Sequence, residues 1–533
     1  MKNKLLVTLA LSAVVAASSV ALASCGNNRN NYAYDLDFNV DVSGTTINMW
    51  AGFGGALNDS IEALADEFHR LTGVTVKYES KSSYDDCLKA VTLAATQGGY
   101  PHIVVGYPDH FASYVKSNII VRLDYYFEND VHNPTFEPEG ESFKISDFYV
   151  DYMKENQSVE FDDKSGNPYT LGVPFNKSTE VLIYNKTFFD WCASKDDLKD
   201  KIYVPETFEQ LESVGLAILK YFKDNNLYGT VIKNDAGATI LDLSKITEAT
   251  GQNATTDFKP FSYDSQANLF ITNVRQSGGE YTTYDKERKK GYLAFDSDET
   301  REGLTYLKHL YDENVFGIPA DWGEAKYGSN PFKAGKTVMT LGSSAGVANS
   351  APTGNKFKIA AAPVPYRAAD KKYVISQGAN LALLDTGSRE QRVAAWQFIK
   401  FLSKYANGAF CANSGYYPSC AYAEKAGADG KSGMWAGYSE DSEWLDYATW
   451  IEDAAIGSTA DQIRAQTAQV NLDYYVNASL ANKWIKFVDQ PFSGSAVVRN
   501  EVANIPPYVF TGTYTPDQAI KAVYSKLSDY VRS

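Results

Sequence analysis

The string Gly342-Ser343-Ser344-Ala345-Gly346 follows an apolar run, Thr337-Val338-Met339-Thr340-Leu341, and matches the G-x-S-x-G pattern that exposes a nucleophilic serine on a tight turn after a strand. In hydrolases built on that turn the proton-accepting histidine follows the serine along the chain. The five histidines here, His69, His102, His110, His132 and His309, all precede it. The turn is therefore read as one that offers the hydroxyls of Ser343 and Ser344 and nearby backbone amides to a ligand. A secreted serine hydrolase using Ser344 stands as the alternative.

Other strings resolve in the same way. Gly335-Lys336-Thr337 imitates the end of a phosphate-binding loop, but Asn330 replaces the leading glycine and Pro331 stiffens the backbone whose amides would have to wrap the phosphate. It reads as a polar turn before a strand. His102 and His110 lack the i, i+4 spacing of a helical zinc pair and read as surface or internally satisfied histidines. Asp296 and Asp298 begin like half of a calcium loop, without the glycine and glutamate that complete one, so they read as acids at a helix start. No metal or cofactor is expected. Among Cys87, Cys192, Cys411 and Cys420, the close pair Cys411 and Cys420 is the expected disulfide, with free buried thiols as the alternative.

The elements that would position these groups begin with an export signal. Lys2 and Lys4 precede an apolar run over 5–22 that ends in Ala23-Ser24-Cys25. Leu22-Ala23-Ser24-Cys25-Gly26 resembles the bacterial lipobox, in which cleavage before the cysteine leaves a thiol that carries a diacylglycerol. Residues 1–24 are thus expected to be removed and Cys25 lipidated. A retained spanning helix is the alternative, and either anchors the remainder outside the cytoplasm. Residues 25–43 are rich in Asn and Asp and are expected to form a flexible tether.

Beyond the tether, 45–50 reads as a strand. Ile61, Leu64, Ala65, Phe68 and Leu71 read as one helical face, with cap candidates at Asn58 to Ser60 and a stop at Gly73, and 74–78 reads as a second strand. This is a βαβ unit, with a right-handed crossover expected, and a strand over 103–106 follows. Capping boxes recur at Thr207/Gln210 and at Thr515/Gln518, and Ala395, Phe398, Ile399 and Leu402 mark a helix after Ser388. Alternating strands and helices predict α/β lobes with mostly parallel sheets. No internal repeat is visible.

With 50 basic and 65 acidic side chains the formal charge is −15, and loss of Lys2 and Lys4 on cleavage takes it to −17. No long run of Lys and Arg interrupts that excess, so nucleic acid is not an expected partner. A hydrophobic fraction of 44% and an aromatic fraction of 14% describe a folded chain. A mature length of about 510 residues leaves room for two cores.

Six segments, in order, resemble the extracellular solute-binding proteins of the family that includes maltose-binding and glycerol 3-phosphate-binding proteins. They are the stretch from Met49 to Tyr78, the hinge-like Gly172-Val173-Pro174-Phe175-Asn176-Lys177-Ser178-Thr179, the helix start Pro205-Glu206-Thr207-Phe208, the strand Phe332-Lys333-Ala334-Gly335-Lys336-Thr337-Val338-Met339, the helix Ala395-Trp396-Gln397-Phe398-Ile399-Lys400-Phe401-Leu402, and the turn Gly415-Tyr416-Tyr417-Pro418. The resemblance implies an α/β, two-lobe periplasmic-binding-protein-like (type II) fold with a hinge and an interlobe cleft. It places lobe one at 44–177 and 377–414 and lobe two at 178–376 and 415–533. It implies a monomeric substrate-binding lipoprotein, without catalysis, that is lipid-anchored to the bacterial cell membrane and serves the permease subunits of an ABC importer. Carried over position by position, the ligand contacts would be Tyr84, Asp109, Ser178, Ser343, Ser344, Gly378 and Tyr416.

There are departures. The glycerol-phosphate-binding branch places tryptophans after the segment matching Leu227-Tyr228-Gly229, and 230–242 contains none. Its late-loop arginine is replaced by Pro491-Phe492-Ser493-Gly494-Ser495, with Arg499 nearby at a different position. A carbohydrate is therefore the expected ligand, with glycerol 3-phosphate or a glycerophosphodiester as the alternative, and an adhesin or sensor on the same fold as a third class. Stretches near 237–290 and 425–470 are expected insertions.

Overall fold

The opening βαβ forms as its pattern dictates. Strands Thr46–Ala51 and Thr75–Ser80 pair in parallel, and helix Ala56–Thr72 connects them. Ile61, Leu64 and Phe68 are fully buried because their spacing turns one stripe of the helix onto the sheet. Gly73 stops the helix in the left-handed region (φ 74°), its N–H donating to His69 O at 2.8 Å. The helix starts earlier than the expected caps. Gly55 leads into it, so Asn58 lies in the first turn and its side chain accepts from the Tyr78 hydroxyl at 2.6 Å. Capping boxes close at Thr207, Ser388 and Thr515 and start helices Phe208–Asp224, Arg389–Lys400 and Pro516–Lys526. The computed structural model describes residues 34–162, 164–250, 254–325, 327–424, 459–476 and 483–531. The expected signal segment, Cys25 and residues 425–458 lie outside these. No helix among the described residues is long and apolar enough to cross a membrane.

Two five-stranded sheets organise the lobes. The first orders its strands Thr75–Ser80, Thr46–Ala51, Ile103–Gly106, Gln377–Leu383, Val173–Ser178, and the second Phe316–Gly317, Phe261–Tyr263, Met339–Ser343, Glu180–Asn185, Ile359–Ala362. In each, the first two pairings are parallel and the last two antiparallel, which corrects the expectation of mostly parallel sheets. Connectivity is the reason. Val173–Ser178 and Glu180–Asn185 are separated only by Thr179, so the chain leaves one sheet and enters the other without turning round. Tyr373–Ile375 and Gln377–Leu383 return it across Ser376.

Each sheet carries its own core, with Phe68, Trp396 and Phe398 in the first and Phe222, Phe261 and Met339 in the second. Four expectations change here. The expected tether packs from residue 34 onward: Phe38 and Val42 are buried in the first core and the Tyr34 ring meets the Tyr125 ring at 5.7 Å. Tyr417, Cys420, Ala465 and Ala468 join the first core although they follow residue 414, while Ile463 and Val470 face the second. Within 237–290, Phe261–Tyr263 is a strand of the second sheet and helix Gln266–Ser277 is largely buried beside it, so that part belongs to the lobe. Cys411 and Cys420 are free buried thiols, as are Cys87 and Cys192; the Cys411 sulfur faces Asn407 Oδ1 one turn back in its own helix.

The crossings are tightly determined. Lys177 is fully buried, its ammonium paired with Glu155 and donating to Gly378 O at 2.9 Å. Burial raises the Glu155 carboxyl and lowers the Lys177 ammonium from their ordinary values, against their mutual attraction. Desolvation thus outweighs attraction, and the pair specifies geometry more than it adds stability. Gly378 has φ +89°, and a Cβ there would lie 1.9 Å from Asn176 O. Lys177→Met is expected to lower the unfolding free energy by about 3–5 kcal/mol, because Glu155 is left buried and uncompensated, and adding Glu155→Leu to recover most of the loss. Urea unfolding of the three proteins measures this, and equal losses in single and double variants contradict it.

Candidate binding cleft between the lobes

A cavity of about 420 Å³ opens between the lobes beside the crossings, within the range that suits small ligands. In lobe one, Ser83 caps helix Tyr84–Gln97 by accepting the Asp86 N–H at 3.1 Å, which sets Tyr84 at the cavity wall. Helix Pro108–Lys116 starts just after strand Ile103–Gly106 and places Tyr107, Asp109 and His110 along the cavity. Lobe two supplies Asp264 after strand Phe261–Tyr263, Asn268 on helix Gln266–Ser277, and Ser495 with Arg499 on helix Ser495–Val502. Several of these positions follow the carboxyl ends of parallel strands, where clefts in such sheets form.

Of the residues singled out in the sequence, Tyr84, Asp109, Ser178, Ser343 and Tyr416 line this cavity. The Tyr84 hydroxyl accepts from Asn176 Nδ2 at 3.1 Å, and its ring meets Tyr107 edge-on at 4.9 Å. Tyr416 stacks on Phe410 with ring centres 6.2 Å apart. Ser344 and Gly378 lie outside the lining. The Ser344 hydroxyl is buried and accepts the Thr179 N–H at 3.0 Å, while its own N–H donates to Thr179 O at 2.8 Å. It clamps the hinge instead of presenting a nucleophile. Gly378 is excluded because its backbone is pressed against Asn176 and its carbonyl accepts from Lys177. Thr337 is buried with its hydroxyl donating to Pro260 O at 2.9 Å, a strand entry. His102 is buried and accepts the Asn48 N–H at 2.9 Å, and Asp296 pairs with Arg301 ahead of helix Asp298–Asp312.

The model of the family described as bacterial extracellular solute-binding protein matches residues 63–436. The chain belongs to the bacterial extracellular solute-binding proteins. Among relatives of this solute-binding protein, the sn-glycerol-3-phosphate-binding periplasmic protein UgpB of Pectobacterium atrosepticum is 25% identical over 382 residues, 70% of this chain and 73% of that one. Two solved structures share the fold at low identity. The ABC substrate-binding protein Lmo0181 from Listeria monocytogenes in complex with cycloalternan has a TM-score of 0.62 at 14% identity, over 91% of this chain and 98% of its own. UgpB from Mycobacterium tuberculosis in complex with glycerophosphocholine has 0.60 at 15% over the same shares of the two chains, 91% and 98%.

In this solute-binding protein the groups that set the charge of the cleft escaped sequence reasoning. Glu180 is fully buried beside Thr179; it accepts from the Tyr263 hydroxyl at 2.5 Å and from Asn268 Nδ2 at 2.8 Å, and burial pushes it up to about 7. Asp489 is also pushed up to about 7 by its enclosed setting, against the pull of Arg275 and Arg499. Arg499 hydrogen-bonds Asn268 Oδ1, so a short chain of contacts joins it to Glu180. Two signals could have found these residues. Glu180 directly continues the hinge signature, and Arg499 lies one helical turn after Ser495, on the same face. At the return crossing, Ser376 Oγ and Gln377 Oε1 are buried and have no hydrogen-bond partner among the described residues, nor has Tyr281 Oη across the cavity.

Because the folded state holds the Glu180 and Asp489 protons more tightly than an unfolded chain would, stability is expected to fall as pH rises from the ordinary carboxylate range through about 7, then level off. Denaturation midpoints of the ligand-free protein between pH 5 and pH 8 test this. Glu180→Gln and Asp489→Asn should each flatten the slope, and an unchanged slope in both rejects the assignment.

Proposed function

We propose that this chain captures a carbohydrate in the interlobe cleft and delivers it to the permease subunits of an ABC importer, without chemistry, while a lipid on Cys25 holds it at the outer face of the cell membrane. The observation that carries the reading is the make-up of the walls. Five lining carboxyl groups, Asp85, Asp109, Glu180, Asp264 and Asp489, stand with hydroxyl-bearing Ser178, Ser343 and Ser376 against Arg499 as the single lysine or arginine of the described lining. Carboxylates and hydroxyls accept and donate to sugar hydroxyls, and the Tyr84 and Tyr416 rings cover C–H faces. The cycloalternan complex formed by one protein of the same fold supports capture of a saccharide, and the glycerophosphocholine complex of another supports the second reading below.

Opening and closing would turn on Thr179, the single residue between the two five-stranded sheets, and on Ser376, the single residue between strand Tyr373–Ile375 and the first sheet. A ligand that touches both walls binds the closed form better and shifts the population toward it. The permease would then read that shape.

Arg499 favours a second reading, glycerol 3-phosphate or a glycerophosphodiester, since a guanidinium in the cleft offers an anchor for phosphate. The make-up of the lining counts against it, because five carboxyl groups stand there against the one guanidinium. Melting temperatures across a panel of oligosaccharides and glycerol phosphates separate the two. The expected outcome is stabilisation by a saccharide, with Tyr84→Ala and Tyr416→Ala each weakening its binding about tenfold, a loss of about 1.4 kcal/mol. Stabilisation by sn-glycerol 3-phosphate alone, abolished in Arg499→Ala, would establish the second reading instead.

A further inference from the structure

A second chamber, of about 1330 Å³, lies along the same seam. Three elements run from one chamber into the other. Helix Pro108–Lys116 gives Asp109 and His110 to the first and Val115 and Lys116 to the second. Past Gln490 and Pro491 in the first, the chain reaches Phe492 and Ser493 in the second. The hairpin of strands Thr282–Asp285 and Lys290–Leu293 starts at Thr282 in the first and continues through Tyr284 to Gly291 in the second. At the junction, Gln490 Nε2 of lobe two donates to Ser158 O of lobe one at 2.6 Å, next to Val159 of the second chamber. The chambers are thus adjoining rooms with shared walls.

Their charges are opposite. In the second chamber Lys116, Lys164, Lys286 and Lys290 form no ion pair among the described residues. Of the acids in the lining, Glu160 pairs with Arg122 at 2.7 Å, while Asp162, held well below the ordinary carboxylate range by Ser165, Tyr169 and the Lys164 N–H, keeps its charge. Asp162, Glu287 and Asp529 remain as counter-charges, and the described lining as a whole carries six lysine or arginine side chains against four acids. Lys286 reaches across the seam from the hairpin and sits 3.9 Å over the Phe161 ring of lobe one. In a chain of formal charge −15, an excess of unpaired ammoniums around one chamber calls for an anionic occupant. The first chamber, walled by carboxyl groups, calls for a neutral polyol.

We propose that the two chambers are successive subsites for one extended ligand, an acidic oligosaccharide whose neutral hydroxyl-bearing unit lies in the first and whose carboxylate or sulfate groups lie in the second. This deepens, and rests on, the carbohydrate reading. The size fits, since the second chamber exceeds the roughly 300–1,000 Å³ typical of pockets for compact small molecules. The lysines are exposed, so their attraction is screened by salt.

The test is calorimetric titration of the full chain with neutral oligosaccharides of two to six units, their uronate counterparts and their sulfated counterparts, at low and at high salt. The expected result is that an acidic oligosaccharide binds at least tenfold tighter than its neutral counterpart and loses that margin at high salt. Lys116→Glu, Lys286→Glu and Lys290→Glu should each cut the ratio of acidic to neutral affinity several-fold, and circular dichroism would confirm that the variants fold. The uronate and sulfate series tell which anion is read. If a neutral oligosaccharide binds best, with no effect of salt or of the lysine variants, the acidic subsite is wrong while carbohydrate capture stands. If no saccharide of any series binds and glycerol 3-phosphate does, both readings fall together.

Discussion

The molecule depends on how one residue, Thr179, passes between two sheets. Its N–H, carbonyl and hydroxyl are all engaged, the first two with Ser344 and the third with Ile375 O at 2.7 Å. Three chain segments that belong to different strands are thereby tied at one point: the outgoing crossing, the turn after Met339–Ser343, and the end of the returning strand Tyr373–Ile375. Because a buried N–H or C=O that loses its partner is costly, these bonds fix where the chain passes from one sheet to the other. The direction in which the chain enters each sheet follows from this passage, and so does the mixed pairing of both sheets. Ser178 and Glu180, on either side of Thr179, are delivered to the cleft by the same constraint.

The cleft inherits its electrostatic character from this placement. Glu180 is carried into the interior by its strand and must be met there, which Tyr263 and Asn268 do. Asn268 in turn meets Arg499, so a contact made at the hinge reaches the far helix through two side chains. Carboxyl groups that ionise reluctantly are suited to hydrogen-bonding neutral hydroxyls, because in their protonated form they both donate and accept.

Much of this was legible in the sequence where one physical rule governs one position. The stripe of Ile61, Leu64 and Phe68, the stop at Gly73, and the boxes at Thr207 and Thr515 are decided within a single turn, and each forms as expected. The hinge signature was readable as a motif, but Ser344 was assigned to the ligand because hydroxyl chemistry does not reveal which way a side chain faces. Tyr34, Phe38 and Val42 were hidden by the polar residues between them, since a composition average over the segment dilutes three anchors spaced four apart. Arg499 is visible in the sequence as a cation near the late loop, but only helix Ser495–Val502 turns it into the cleft. The antiparallel pairings depend on contacts between residues far apart in sequence, and no local period records them.

The four buried thiols lead to a further consequence. Cys87, Cys192, Cys411 and Cys420 are enclosed and form no disulfide among the described residues, and burial pushes Cys87 up to about 12 and Cys420 up to about 11. Thiols so reluctant to ionise react slowly with oxidants and with other disulfides. Among the described residues, then, the shape of both lobes rests on packing and hydrogen bonds and on no covalent cross-link, so a reducing agent in the buffer leaves the fold nothing to lose.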